Sequence, residues 1–281
     1  MTRLRYLPLL LPLAALAGCG GSGSTPAAPT IAPARTYELV DWKPVRVAKA
    51  NVPTEVSFVI QQPDGKPLTA FKRGPGPHTG VHLIFVRDDL GYIVHRHPPI
   101  AADGTIHDRI AFPAPGTYRA VIDVYPRNGS QPNFQLFHRL RVAGTYEPRP
   151  LPAPSRTVTV DGYRFTLDGS PKLRAIEPAF LKLTVTDPQG RPASFSPWFG
   201  ALAHAIFFRS GSLDYFHTHV CAPGANGCTS ALGGTRVTGT SSTPGKLSVG
   251  VLVPVAGKWR LFLQTRIRNR VLTAPFTLNV R

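Results

Sequence analysis

Two stretches of this chain carry one pattern, and that repetition constrains the fold more than any other feature. Residues 82–97 read HLIFVRDDLGYIVHRH and residues 204–219 read HAIFFRSGSLDYFHTH. His82, Ile84, Phe85, Arg87, His95 and His97 align with His204, Ile206, Phe207, Arg209, His217 and His219. Upstream, NVPTEVSFVIQQPDGKP from Asn51 matches IEPAFLKLTVTDPQGRP from Ile176, sharing a P-x-G-x-P turn. Downstream, FPAPGTYRAVIDV (112–124) matches VPVAGKWRLFLQT (253–265), which pairs Gly116, Tyr118 and Arg119 with Gly257, Trp259 and Arg260. Three matched segments in the same order indicate a tandem duplication.

The repeated unit reads as all-β. The chain has 30 prolines and 26 glycines, with short β-branched and aromatic runs between turn signals and no convincing amphipathic helix in the mature part. Units of this size suit an immunoglobulin-like or cupredoxin-like β-sandwich, and the strand pattern does not separate the two. The expected organisation is a first sandwich over 36–144, a proline-rich linker over 145–155, and a second sandwich over 156–281. The second copy has a longer loop after its H-x-H, containing Cys221, Cys228 and a Gly/Ser/Thr-rich run.

Folding each sixteen-residue segment into a hairpin places its histidines together. With Asp88–Gly91 as the turn, His82 lies opposite His97, and His95 shares their face because strand side chains alternate. In the second copy His204 lies opposite His219, beside His217. Opposed Cβ atoms stand about 5 Å apart, so three imidazoles can converge on one ion at about 2.0–2.1 Å. A one-residue slip would send His82 or His204 to the other face and abolish the site. His78 is close enough in sequence to be a fourth ligand, whereas His107 and His138 have no counterparts. The competing reading is a set of hydrogen-bonded histidines serving packing alone. For an all-imidazole site, affinity order favours copper, with zinc next. The one methionine is Met1, which rules out a methionine-rich Cu(I) carrier or a Met-axial blue-copper centre.

The N-terminus reads as a targeting segment. Arg3 and Arg5 precede the apolar run LPLLLPLAALAG, which ends at Cys19. Leu16-Ala17-Gly18-Cys19 resembles the lipobox of bacterial lipoproteins. The expectation is a signal peptide over 1–18, lipid on Cys19 as a membrane anchor, and a flexible tether over 19–35. In an exported, oxidising setting Cys221 and Cys228 then read as a short disulfide loop. The net charge of +17 reads first as a solvated basic surface, with anionic envelope polymers or lipid headgroups as the polyanions it could attract in an exported protein. No nucleic-acid-binding signature accompanies it, so nucleic acid is not expected as a partner.

The histidine segments resemble a poorly characterised group of bacterial exported and lipoprotein β-sandwich proteins, whose recurrent pattern is G-x-H-L…D-L…H-x-H-P. Here the matching residues are Gly80, His82, Leu83, Asp89, Leu90, His95, His97 and Pro98. The second copy departs from it at Val220, which stands where the pattern has proline. More distantly the chain is similar to YtkA-like exported domains. The resemblance implies a link to heavy-metal or copper handling. The leading expectation is therefore a non-catalytic, envelope-anchored protein that binds or buffers a transition metal. The alternative is a structural, adhesion or interaction module whose histidines only pack. An enzyme would need a positioned acid or base, for which Asp108 and Asp187 are the nearest candidates in sequence; no nucleophile elbow or phosphate loop appears.

Overall fold

Turn chemistry divides the chain into strands. In the P-x-G-x-P turns Gly65 and Gly190 take φ values of +85° and +79°, in the left-handed region that suits glycine. Gln62 N–H donates to the Lys66 carbonyl in one, and Asp187 N–H to that of Arg191 in the other. The computed structural model describes residues 36–44, 47–73, 76–127, 133–223, 225, 231–232, 235–236, 238–241 and 243–281. The expected signal peptide, Cys19 and tether lie outside the described residues. So does Cys228, and with it the expected disulfide; Cys221 is buried at a strand end. Among the described residues no helix is long and apolar enough to cross a membrane.

The first half contributes β1 (Glu38–Lys43), β2 (Ala48–Lys49), β3 (Thr54–Gln61), β4 (Val81–Arg87), β5 (Ile93–Arg96), β6 (Ile106–Ile110), β7 (Gly116–Val124) and β8 (Phe134–Ala143). The second half begins with β9 (Thr157–Val160), β10 (Tyr163–Leu167), β11 (Ala179–Thr186), β12 (Ala203–Arg209) and β13 (Tyr215–Cys221). It continues with β14 (Ala231–Leu232), β15 (Thr235–Arg236), β16 (Gly239–Thr240), β17 (Lys246–Val251), β18 (Gly257–Ile267) and β19 (Arg270–Val280).

Strand order shows the duplication directly. The first half has one sheet ordered β1-β3-β6 and another ordered β2-β8-β7-β4-β5. The second half repeats both orders, as β10-β11-β17 and β19-β18-β12-β13. The parallel pairing of Ala48 with Val142 recurs as the parallel bridge between Leu173 and Val280. One departure comes from the longer second-copy loop. There β16 pairs parallel with β13 and antiparallel with β17, which joins the two faces into one nine-stranded sheet.

The topology resolves the choice between sandwich types. Strands β1, β3 and β6 occupy the A, B and E positions of an immunoglobulin-like fold, and β8, β7, β4 and β5 the G, F, C and C′ positions. Tyr118, near the start of β7, donates its hydroxyl to the Ala114 carbonyl at 2.9 Å, the tyrosine-corner bond of such sandwiches. Its counterpart Trp259 makes the same backward bond, from Nε1 to the Val255 carbonyl at 3.0 Å. Both rings are fully buried.

Each half has its own core. Phe58, Leu83, Phe85, Phe112 and Tyr118 are central to the first, and Phe165, Leu183, Phe207, Trp259 and Phe276 to the second. Strand β4 is buried along its whole length. Its odd-numbered residues Leu83 and Phe85 face the first core. The even-numbered Ile84 and Val86 join Val121, Ile206, Phe208, Leu213 and Phe262 in a third apolar cluster. That cluster packs the β4–β7 face of one half on the β12–β18 face of the other. Arg119 adds hydrogen bonds across it, from Nη1 to the carbonyls of Ser212 and Leu213.

Candidate metal centre

The hairpin registers place the histidines as their spacing requires. Leu83 pairs with Arg96 and Ile84 with His95, so His97 continues the ladder opposite His82. His204 pairs directly with His219, and Ile206 with His217. Because His82 is even-numbered, it points away from its own core, as Ile84 and Val86 do. His204 likewise shares the face of Ile206 and Phe208. The two sets of imidazoles therefore meet between the halves and form one chamber.

Three groups of three histidines have ligand nitrogens mutually within 4.8 Å: His82, His95 and His217; His95, His97 and His204; and His204, His217 and His219. Two of the three draw on both halves. His78 belongs to none of them; its ring stands edge-on to His219, with centroids 4.7 Å apart, and against Tyr125. His107 is exposed on β6, and His138 stacks on Trp42 with centroids 4.1 Å apart; neither lies in the chamber.

Fixed partners orient the central rings. His82 Nε2 stands 2.6 Å from the Pro77 carbonyl, and His204 Nε2 stands 3.0 Å from that of Trp198. A carbonyl only accepts, so each Nε2 carries the proton and each Nδ1 presents a lone pair. His95 Nδ1 faces Gln264 Oε1 at 3.1 Å, while the Gln264 amide donates to Thr273. That assignment leaves His95 Nε2 as its lone-pair nitrogen. Carbonyl and amide partners of this kind hold ligating imidazoles in place in metal sites.

Several nitrogens in the chamber are unsatisfied. Nε2 of His78, His95 and His97, and both nitrogens of His219, are buried with no hydrogen-bond partner among the described residues. Buried polar groups without partners are uncommon in native folds and costly. His217 Nδ1 lies 3.3 Å from His82 Nδ1, and His217 Nε2 lies 3.4 Å from His204 Nδ1. Two nitrogens bound to one tetrahedral ion at about 2.0–2.1 Å stand about 3.3–3.4 Å apart. The spacings fit ligands along an edge of such a polyhedron.

Burial keeps the cluster uncharged. Loss of solvent lowers the His82 and His204 pKa values to about 3, against a partial opposing effect from the Pro77 and Trp198 carbonyls. His95, His97, His217 and His219 are depressed for the same reason, reinforced by neighbouring imidazoles. Neutral rings presenting lone pairs are the form that binds a metal.

The carboxylate at the site is Asp123, which sequence reading missed. It pairs with His82 across β7 and is 2% exposed. Tyr125 Oη donates to it at 3.0 Å, Gln135 Nε2 at 2.9 Å and Tyr215 Oη at 3.4 Å. Burial raises its pKa despite those donors. The 3.9 Å approach of Asp123 to His82 Nδ1 is not an ion pair, because His82 is neutral. Gln264 holds the equivalent place in the second half, opposite His204. The aligned segments VIDV and FLQT carried this signal, since Asp123 and Gln264 mark the one position that is polar in both. The carboxylates expected from sequence lie elsewhere. Asp108 is held by Arg96, and Asp187 by Arg191 and its own turn.

Aromatic rings close the chamber. Phe199 stacks on His97 with centroids 3.9 Å apart, and Trp198 meets His95 and His204 edge-on. Phe199 takes φ of +45°, a strained conformation for a bulky residue. A tight turn enforces it, with paired backbone bonds between Trp198 and Ala201. Thus a second-half loop covers first-half histidines.

Residues 158–281 match the family model described as "Domain of unknown function (DUF8832)". The match spans the second sandwich and brings no activity with it. No curated protein matches the chain. Solved structures with similarity include the tetra-tandem repeat from the extending region of a large adhesion protein. That likeness has 12% identity and a TM-score of 0.26, over 87% of this chain and 49% of that one. Invasin, a bacterial integrin-binding protein, shows 13% identity and a TM-score of 0.21, over 86% and 38%. The fibronectin(III)-like modules of Clostridium thermocellum CbhA show 10% identity and a TM-score of 0.21, over 87% and 93%. This chain thus spans about half of the adhesion repeat structure. Likenesses this distant carry no functional argument, and none of these matches bears on the YtkA-like resemblance.

Proposed function

We propose that the chamber between the two sandwiches binds a transition-metal ion, copper first and zinc next, and that the protein holds or buffers that ion without catalysis. The observation that carries this reading is the set of buried imidazole nitrogens left without partners at ligand spacing. A cation held by one of these groups would satisfy the free lone pairs of the rings that ligate it, and the partners of His82, His95 and His204 already select which nitrogen each offers. The lack of any methionine beyond Met1 and the all-nitrogen donor set favour Cu(II) over softer Cu(I) chemistry. The lipobox-like Leu16–Cys19 segment supports an exported place in the bacterial envelope, in the periplasm or on the outer face, held to a membrane by lipid on Cys19.

Calorimetric titration of the metal-depleted full chain with Cu(II) and Zn(II) tests the reading. Micromolar or tighter binding that weakens in the His95→Ala/His97→Ala double variant is the expected result. No binding of either ion, or equal binding by the double variant, would reject it.

A second reading has its own support in ring stacking. His82 and His97 stack with centroids 4.1 Å apart, and His97 stacks on Phe199, so the histidines also act as packing groups between two immunoglobulin-like modules. Under this reading the protein is a structural, adhesion or interaction module. Its stability would then be unchanged by added metal or chelator.

A further inference from the structure

The metal-binding reading leaves open how many ions the chamber takes. The three histidine groups overlap pairwise in one residue each: His95, His204 or His217. No two of them could be filled at once unless the shared histidine served both ions. An imidazole can do so only if its two nitrogens face different partners. Among the shared residues, His217 is placed this way: Nδ1 faces His82 Nδ1 at 3.3 Å, and Nε2 faces His204 Nδ1 at 3.4 Å. His95 is not, since Gln264 occupies its Nδ1. Nor is His204, whose Nε2 is committed to the Trp198 carbonyl.

Proton counting sharpens the point. His82 and His204 both present lone pairs at Nδ1, because their Nε2 protons go to carbonyls. Neutral His217 has a single N–H proton, which can satisfy only one of the two neighbours. The other contact sets lone pair against lone pair. A cation at each contact removes the conflict.

We propose that His217 bridges two metal ions as an imidazolate. His82, His95 and the His217 Nδ1 would ligate one ion, and His204, His219 and the His217 Nε2 the other. The first ion takes a lone pair of neutral His217. Binding the second displaces the remaining ring proton, which passes to solvent, and no electron moves. The bridge then carries one negative charge between two cations and offsets part of their repulsion. It joins the halves through one side chain, because His217 and His204 come from the second half and His82 and His95 from the first. The protein would thus be a two-ion binder with magnetically communicating sites.

The test loads the full chain with Cu(II), removes excess metal, and compares copper counted chemically with copper counted by electron paramagnetic resonance. The bridge predicts two copper ions per chain, with a spin count well short of the copper present because the ions couple through the ring. It also predicts that His217→Ala lowers the copper content and restores a full spin count. His107→Ala, on an exposed strand position outside the chamber, should change neither. One ion per chain at saturation, or two ions with a full spin count, would overturn the bridge while leaving metal binding intact. A chain that binds no copper or zinc would instead sink the underlying reading. The wild-type comparison decides the matter even if His217→Ala fails to fold.

Discussion

At the residue scale the chamber is a set of neutral rings under constraint. His82 and His204 ionise near pH 3 in the fold and near pH 6.5 in the unfolded chain. As pH falls below about 6.5 the unfolded chain takes up protons that the folded one refuses. Metal-free protein should therefore lose stability toward acid, by up to about 1.4 kcal/mol per pH unit for each such histidine, levelling off near pH 3. Urea midpoints measured from about pH 7 down to about pH 5 check the sign; a flat profile would contradict the burial of these rings. The partner of His95 can be tested alone. Gln264→Ala removes the oxygen that fixes its tautomer and should weaken metal binding about 10–100-fold, with little change in the fold by circular dichroism.

At the element scale the two halves repeat one plan with local substitutions. Tyr118→Phe deletes the hydroxyl bond to Ala114 and should cost about 1 kcal/mol, read as a shift in denaturant midpoint without a change in slope. Gly239 in β16 is another sensitive point. An added Cβ there would run into the Ser248 carbonyl oxygen and stand 3.0 Å from that of His219. Gly239→Ala should therefore displace β16 from the edge beside His219 and weaken metal binding as well as stability, which paired titration and melting measurements would show.

Much of this was legible in the sequence, for definite reasons. The H-x12-H-x-H spacing fixes the hairpin register once the turn is placed, and the P-x-G-x-P turns fix strand ends. What could not be read was which way the histidine face points. VHLIFVR is apolar at nearly every position, so period-two alternation gives no inside and no outside. The reason is now visible: β4 is covered by its own core on one side and by the other half on the opposite side. Asp123 was hidden for a related reason, as a single carboxylate inside an apolar run whose role depends on strands distant in sequence.

At the scale of the whole molecule, the site and the packing of the two halves are one feature. The apolar cluster of Ile84, Val86, Phe208 and Phe262 brings the hairpins together, and the histidines occupy the same face. Metal that binds only the assembled chamber must stabilise the assembly. At a free concentration of about a hundred times Kd the gain is about 2.7 kcal/mol, so Cu(II) should raise the melting temperature and a chelator should reverse the rise. A melting temperature indifferent to both would favour the purely structural reading.

The most direct measurement is an anomalous-scattering map of the copper- or zinc-loaded full chain, collected at the metal's absorption edge. The shared chamber predicts density ligated by imidazoles of both halves, with His217 at its centre. Density confined to each hairpin's own three histidines, or none among these rings, would contradict it.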